Sequence, residues 1–260
     1  MQSPVSLMSH VARLSAAGAI ITLGFVMPSA HAQVGNFVNL SSLTSVFSSS
    51  ANPSGATDAG SLASFVVALT PGANRVLTVS SVTGLISPAT PAVNPHGADG
   101  GTYTGTGVNI NSLGSISGVI DSSDRSLALM GVFVGTNPAT GAAPARLDFT
   151  GNHSFASLSP LLNQSFFIGD GLTGTGSGAV QQFFVPNGAA FLQLGFADAA
   201  TGNVAFVGNP SFYSDNTGSL SGSYSITAAP EPGSVALLGV GFVGCTLATG
   251  RIGRIARRKA

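Results

Sequence analysis

The sequence predicts an all-β fold of the antiparallel β-sandwich class. Between residues 61 and 229, short alternations of apolar and polar residues are separated by clusters of Gly, Asn, Pro and Ser, which is the pattern of strands and turns. Almost no segment there has the period of an amphipathic helix. The dipeptide Asn187-Gly188, between two apolar runs, is the strongest short-range hairpin signal in the chain. The 16 Phe and frequent Val, Ile and Leu supply enough apolar surface to offset chain entropy.

The N-terminal residues 1–32 have the pattern of a secretory signal peptide. Arg13 gives a positive n-region, Leu14–Met27 carries no charge, and the cleavage site is A-x-A, with small residues at Ala30 and Ala32. A buried N-terminal helix is the alternative for this segment. The signal-peptide interpretation predicts export and a mature chain that begins near Gln33.

A single domain is predicted over residues 61–229, after a Ser-rich lead-in at 33–60 whose part from Ser41 to Gly60 is expected to be partly disordered. A short helix is expected over Leu158–Gln164, because Ser159 and Pro160 suit its first turn. The predicted strands are Ser64–Leu69, Arg75–Val82, Ser115–Ile120, Leu127–Val134, Arg146–Phe149, Gln181–Val185, Ala190–Phe196 and Ser219–Ile226.

Two segments are predicted loops. Pro88–Gly107 is long and rich in Pro and Gly, and Gly169–Gly178 is rich in Gly and Thr. The second has the glycine content of a phosphate-binding loop, yet no helix pattern follows it and no Lys-Ser/Thr pair closes it. We therefore expect a flexible turn between strands there.

The C-terminal residues 230–260 combine three features in order. Pro230, Glu231 and Pro232 end the domain, and both prolines oppose a continuing helix. Residues 233–250 are 18 residues without a charge, which as a helix measure about 27 Å and suffice to cross a bilayer. The basic tail at 251–260 follows, and such a tail orients the segment with its end in the cytoplasm. Its cationic residues are Arg251, Arg254, Arg257, Arg258 and Lys259.

This tail resembles the PEP-CTERM sorting signal of Gram-negative bacteria, in which a Pro-Glu-Pro motif, a transmembrane helix and an arginine cluster are recognised by an exosortase, a membrane cysteine protease. The resemblance covers Pro230 to Lys259. It implies an inner-membrane intermediate that is cut near Pro230–Pro232 and then released to the cell surface or the medium. A plain single-span membrane anchor is the alternative, because apolar length and charge bias fit it equally.

The exported domain is acidic and poor in charge. Between Gln33 and Ala229 there are three arginines, eight aspartates, no lysine and no glutamate, a net charge of −5. Such a surface has no electrostatic footprint for nucleic acid, so nucleic-acid binding is excluded. The only cysteine, Cys245, lies in the apolar tail segment, so the domain has neither a disulfide nor a thiol nucleophile.

Catalytic motifs are not evident in the domain. Its histidines are His96 and His153, and either one suits a Ser-His-Asp relay if a carboxylate orients it. No G-x-S-x-G, H-E-x-x-H or carboxylate pair at a recognisable spacing marks such a site. His96 lies in a Pro/Gly loop and is expected to be solvated. We therefore expect a protein that is not an enzyme.

Calcium is the ligand that the composition favours. A domain whose anions are all Asp, with many Asn and loop carbonyls, offers hard oxygen ligands without competing ammonium groups. The sharpest candidates are Asp198, after a predicted strand, and the adjacent Asp215 and Asn216, which can converge on one ion only off a regular strand. By spacing alone, a polar turn between strands explains these residues at least as well.

Four stretches of the domain resemble a β-sandwich found in PEP-CTERM proteins, which is itself similar to the small calcium-dependent galactose-binding lectins of bacteria. They are "DSSDRSLALMGVFVG", "LSPLLNQSFFIGDG", "VPNGAAFLQLGFADA" and "NPSFYSDNTGSLSGSYSI". The resemblance implies a calcium site made of Asp198, Asp215 and Asn216 with the carbonyl of Phe212. Ser211 and Ser214 stand where the lectins have loop glycines, and this departure bears on sugar binding more than on ion binding.

Two functions fit these observations. In the first, the domain is a calcium-dependent carbohydrate-binding module in an extracellular polysaccharide matrix or biofilm, with exopolysaccharide, the exosortase and the export machinery as partners and the membrane as a transient one. In the second, it is a structural matrix protein with no sugar ligand.

Overall fold

A computed structural model describes residues 32–48, 60–102, 107–123, 125–137, 140–199 and 207–229. The predicted signal peptide up to residue 31 and the predicted transmembrane and basic segments of the tail lie outside these residues. In the part that is described, no helix is long and apolar enough to span a membrane.

The described chain is all-β, as the sequence predicts. Apart from one turn of 3-10 helix at Tyr213–Asp215, the regular elements in these residues are strands. In chain order they are β1 (Gln33–Ser41), β2 (Phe65–Ala68), β3 (Arg75–Ser87), β4 (Val108–Ile110), β5 (Val119–Asp121), β6 (Leu129–Val134), β7 (Leu147–Asp148), β8 (Ser157–Leu158), β9 (Ser165–Phe167), β10 (Leu172–Gly174), β11 (Ser177–Val180), β12 (Gln182–Val185), β13 (Phe191–Phe196) and β14 (Thr217–Ala228).

Two larger sheets share one hydrophobic core. The first has the strand order β1-β14-β3-β12-β8 and the second β2-β13-β6-β9, while β4-β5-β7 and β10-β11 form smaller sheets. Phe183 of β12 contacts Phe166 of β9 with ring centroids 5.3 Å apart, and Phe166 stacks on Phe133 of β6 at 5.1 Å. Aromatic contacts therefore join the two larger sheets, an arrangement consistent with a β-sandwich.

Strand β1 lies in the segment 33–60, which the sequence predicts to be a Ser-rich lead-in before the domain. It pairs antiparallel with β14. The chain then crosses the end of β13, where the Val46 N–H donates to the Phe196 carbonyl at 3.0 Å and the Phe196 N–H donates to the Thr44 carbonyl at 2.8 Å. Gly195 permits this close approach, because a Cβ there would lie 2.9 Å from the Thr44 carbonyl oxygen. The crossing brings the residues after β1 to the end of β13.

The hairpin predicted at Asn187-Gly188 is not formed. Strands β12 and β13 flank this turn but lie in different sheets. Both edges of β13 are already paired, with β2 and with β6, while β12 pairs with β3. Gly188 has the positive φ of 85° that a turn glycine adopts. The turn signal is therefore right locally, but the turn carries the chain from one large sheet to the other.

The helix predicted over Leu158–Gln164 is not formed either. Leu158 ends β8, and Leu161 and Gln164 close a turn in which the Gln164 N–H donates to the Leu161 carbonyl at 3.2 Å. Asn163 adopts a left-handed φ of 62°, and its N–H donates to the Phe133 carbonyl at 2.8 Å. This bond to β6 replaces a helical one, so tertiary pairing overrides the local helix signals.

The glycine-rich segment Gly169–Gly178 is more regular than predicted. It contains β10 and the first residues of β11, which pair antiparallel. Asp170 closes the hairpin, because its Oδ1 accepts from the Leu172 N–H at 2.9 Å and its Oδ2 accepts from the Gly176 N–H at 2.6 Å. The segment is thus a hairpin held by one carboxylate.

Candidate functional site

The predicted site residues fall into two groups. Asp198, Phe212, Asp215 and Asn216 belong to the described part of the chain, as does Ala32, which is exposed immediately before β1. Outside the described residues lie Ala30 of the cleavage site and the whole sorting motif: Pro230, Glu231, Pro232, Arg251, Arg254, Arg257, Arg258 and Lys259.

Asp198, Asp215 and Asn216 come together where β13 ends and β14 begins. Asp198 follows β13 by two residues, Asp215 ends the 3-10 turn, and Asn216 connects that turn to β14. The Asn216 Nδ2 donates to Asp198 Oδ2 at 2.9 Å. Neither Asp215 nor Asn216 is in a strand, so the alternation of strand side chains does not separate them. We call these three residues, together with Ser42 and Tyr213, the loop cluster.

Tyr213 fixes the backbone at Asp198. Its side chain is fully buried, its hydroxyl donates to the Phe196 carbonyl at 3.0 Å, and the same oxygen accepts from the Asp198 N–H at 3.2 Å. The Tyr213 carbonyl accepts from the Asn216 N–H at 3.1 Å. Tyr213 was not among the predicted site residues, although its position between the predicted ligands Phe212 and Asp215 is a signal that marks it.

Two segments far away in sequence also reach the loop cluster. The Ser42 carbonyl accepts from Asn216 Nδ2 at 3.2 Å, and Thr90 Oγ1 donates to the Asp215 carbonyl at 2.6 Å. No local pattern could place Ser42 here, because its position follows from the pairing of β1 with β14.

Three buried side-chain oxygens of the loop cluster lack a hydrogen-bond partner: Ser42 Oγ, Asp215 Oδ1 and Asn216 Oδ1. Asn216 is only 4% exposed, so water does not reach it freely. A buried polar atom without a partner costs about 1–3 kcal/mol, which a bound cation would offset. Hard oxygens of this kind are the ligands that calcium prefers.

No three His, Cys, Asp or Glu side chains in the described residues are grouped so that they could hold a metal ion. A cation at the loop cluster would therefore be held by the carboxylates of Asp198 and Asp215, with amide and carbonyl oxygens completing the set. This donor set fits a cation that takes amide and backbone carbonyl oxygens beside carboxylates, as calcium does.

A second group of polar side chains lies elsewhere in the fold, and we call it the histidine cluster. His153 Nε2 lies 2.6 Å from Asp121 Oδ2, and Asp121 Oδ1 accepts from the Ser123 N–H at 2.9 Å. The small cavity beside His153 measures about 20 Å³, which is room for a single water molecule. The members of the cluster are Asp99, Asp121, Arg125, His153 and Asp170.

The hairpin carboxylate Asp170 joins this cluster through its backbone. Its N–H donates to Asp99 Oδ1 at 2.9 Å. Burial raises the pKa of Asp170, against the hydrogen bonds from the Gly176 and Leu172 N–H groups, which lower it. The charge of Asp99 adds to the increase and that of Arg125 opposes it. The cluster therefore contains one carboxyl group, that of Asp170, whose charged form is disfavoured by burial.

His153 has the carboxylate that a Ser-His-Asp relay requires, but its other neighbours are aromatic. Its ring lies edge-on to Phe167 at a centroid distance of 4.7 Å and tilted to Phe149 at 6.4 Å. Among the described residues, no serine hydroxyl is hydrogen-bonded to the imidazole, whereas the relay needs one. The arrangement is that of a part-buried histidine hydrogen-bonded to a carboxylate and packed between rings.

His96 is not solvated as predicted. It is partly buried, its Nδ1 lies 3.0 Å from the Asn94 carbonyl, and its Nε2 is buried without a partner. Burial lowers the pKa of His96, and the nearby backbone carbonyls of Asn94 and Ser126 act in the opposite direction. The correction arises because the Pro/Gly loop folds back on β3, where the backbones of His96 and Ile86 pair.

Comparison with protein-family models, with curated proteins and with solved structures finds no match to this chain.

Proposed function

We propose that this protein is an exported, non-catalytic component of a bacterial surface or extracellular matrix, and that its β-sandwich binds carbohydrate with the help of calcium. The observation that carries the calcium part is the pair of buried oxygens without a donor, Asp215 Oδ1 and Asn216 Oδ1, beside the carboxylate of Asp198. The lectin-like sandwich that the resemblance implies is part of the same proposal, and the shared core of the two larger sheets supports it.

Sorting is the second part of the proposal. An exosortase would recognise Pro230-Glu231-Pro232, the apolar segment and the basic cluster, then cut the tail and release the domain from the inner membrane of a Gram-negative bacterium. The order of the three parts at residues 230–260 supports this step.

A structural matrix protein is the alternative function, and one observation favours it. The Asn216 amide already joins the Ser42 carbonyl to the Asp198 carboxylate without an ion. In that case the loop cluster would only fasten the residues after β1 to the end of β13.

Thermal unfolding of the full chain in calcium and in chelator tests the ion. A ligand that binds only the folded state stabilises it by RT ln(1 + [L]/Kd), about 2.7 kcal/mol at a hundredfold excess over Kd. We expect calcium to raise the Tm, and Asp215→Ala to abolish the increase while costing little in chelator, because its repulsion with Asp198 disappears. Asp148, an exposed aspartate of β7, is the matched control, and Asp148→Ala should keep the increase. An unchanged Tm of the unsubstituted protein in calcium would leave the structural function.

The sorting step has its own test. Replacing Glu231, or deleting the basic residues from Arg251 onward, should leave full-length protein in the inner membrane, because the protease no longer recognises the tail. Fractionation and immunoblotting of the producing cells would measure this. Mature protein of unchanged size in the medium after either change would contradict the proposal.

A further inference from the structure

Phe212 combines two features that the fold itself does not need. Its side chain is 52% exposed, and its backbone adopts a left-handed conformation with φ 69° and ψ 18°. For a bulky residue this conformation is an outlier, because the Cβ crowds the following carbonyl. The ring is also not part of the hydrophobic core of the described residues. Neither packing nor backbone preference therefore explains a phenylalanine at this position.

The position of Phe212 relates it to the loop cluster. Phe212 directly precedes the 3-10 turn Tyr213–Asp215, whose last residue and successor are Asp215 and Asn216. The side chain of Tyr213 is buried and holds the turn through its bond to the Phe196 carbonyl, while the side chain of Phe212, the residue before it, is exposed. Strained backbone conformations occur preferentially at binding sites, where the strain contributes to function.

The charges of the described residues decide which ligand suits this site. Arg75, Arg125 and Arg146 all donate to backbone carbonyls away from the loop cluster: Arg75 to Thr70 and Ala189, Arg125 to Asp99, and Arg146 to Ile110. No lysine occurs in the domain. Asp198 and Asp215 would balance the two charges of the proposed calcium ion, so an anionic ligand such as a uronate or a phosphate would meet neither a net positive charge nor a cationic side chain here, whereas a neutral ligand needs neither.

We infer that Phe212 is a stacking platform for a neutral pyranose sugar. The face of the sugar that carries C–H bonds would pack on the phenyl ring, while hydroxyl groups of the same sugar approach the ion held by the loop cluster. An aromatic ring gains both apolar burial and interaction with its π face in such a contact. This inference rests on the proposed function, and it assigns to Phe212 the selection of sugars that have an uninterrupted C–H face.

Three variants and a control separate this role from a structural one. Phe212→Ala removes the ring, Phe212→Tyr keeps it, and Phe212→Gly removes both the ring and the strain. Phe184→Ala is the matched control, because Phe184 of β12 is the other exposed phenylalanine described, at 38%. Each full chain is solubilised in a detergent without a sugar head group. Its retention on agarose, dextran and mannan columns is then measured in calcium and in chelator.

We expect the unsubstituted protein and Phe212→Tyr to be retained by one of these neutral polysaccharides in calcium only. Phe212→Ala and Phe212→Gly should bind about tenfold more weakly, equivalent to 1.4 kcal/mol. Their calcium-induced rise in Tm should be unchanged. Phe212→Gly should also raise the Tm by about 2–4 °C, the shift typical of a domain this size when strain of this order is relieved.

The possible failures are distinguishable. Retention of the unsubstituted protein by none of the columns would overturn the carbohydrate function and this inference with it. Calcium-dependent retention that is equal in Phe212→Ala, or lost equally in Phe184→Ala, would overturn this inference and leave the carbohydrate function intact. Loss of the calcium-induced Tm rise in Phe212→Ala would show that the residue acts on the loop and not on the sugar.

Discussion

The loop cluster and the histidine cluster are built from the same kinds of side chain, yet they differ in how their oxygens are used. In the histidine cluster, Asp121 and Asp170 each have both carboxylate oxygens hydrogen-bonded. In the loop cluster, both carboxylate oxygens of Asp198 are hydrogen-bonded as well, but Asp215 Oδ1 and Asn216 Oδ1 are buried and have no donor. One network is closed by the protein itself, and the other is left open.

This difference teaches where to look for a ligand. A closed network of buried polar groups specifies the fold, and removing one member leaves the others without hydrogen-bond partners. In an open network, the unpaired buried groups destabilise the protein without ligand, and a ligand that pairs with them removes this destabilisation. We therefore expect substitutions in the histidine cluster to act on stability at any calcium concentration, and substitutions of Asp215 or Asn216 in the loop cluster to act chiefly through calcium.

The largest effect is expected for Asp121→Ala. It removes the carboxylate that is bonded to His153 Nε2 at 2.6 Å and to the Ser123 N–H at 2.9 Å. Hydrogen bonds to a charged group contribute about 1.5–3 kcal/mol each. Denaturant unfolding in calcium and in chelator should show the same loss in both. A loss present in chelator but absent in calcium would break the comparison, because it would tie the histidine cluster to the ion.

A smaller effect is expected for Tyr213→Phe. Without the hydroxyl, the part-buried Asp198 N–H loses this acceptor, whereas the Phe196 carbonyl still accepts from the Val46 N–H, so we expect a cost of about 1–3 kcal/mol from the one lost bond. The calcium-induced Tm rise should also shrink, since Tyr213 positions Asp198. Tyr224→Phe on β14 is the matched control, because Tyr224 is only partly buried and lies against Gly35. Equal calcium responses in both variants would argue against a positioning role for Tyr213.

Sequence patterns located the loop cluster better than they located its surroundings. Asp198, Asp215 and Asn216 stand out because residue type and turn signals are local properties. Ser42 does not, since its place depends on the long-range pairing of β1 with β14. The pairing of His153 with Asp121 is likewise non-local, because 32 residues separate the two side chains.

The same reasoning explains the errors in the predicted elements. The turn at Asn187-Gly188 was recognised from local chemistry, but which strands pair is decided by the neighbours of β13 in three dimensions. The helix signals at Ser159 and Pro160 were outweighed by the bond from Asn163 to β6. All-β character, by contrast, follows from a periodicity repeated along the whole domain, so single errors do not change it.

The smallest predicted effect concerns His96, whose loop lies between the two clusters. Thr90 of that loop contacts the loop cluster, and Asp99 belongs to the histidine cluster. Burial lowers the pKa of His96 in the folded state, whereas in the unfolded chain it is near its ordinary value of about 6.5. As the pH falls below that value the unfolded chain takes up the proton first, so stability is lost until the folded pKa is passed.

The test is denaturant unfolding in chelator from about pH 7.5 to about pH 5.5, across the ordinary histidine range, for the unsubstituted chain and for His96→Asn. We expect the unsubstituted protein to lose more stability over this interval than the variant does. Asp170 contributes with the opposite sign, because its raised pKa makes its contribution fall as the pH rises, but it is present in both proteins and cancels in the difference. Parallel pH profiles would mean that protonation of His96 does not change the free energy of unfolding. The same series in calcium tests whether protonation of His96 affects Asp215 through Thr90. If it does, the calcium-induced stabilisation should decrease at low pH, and it should decrease more in the unsubstituted protein than in His96→Asn.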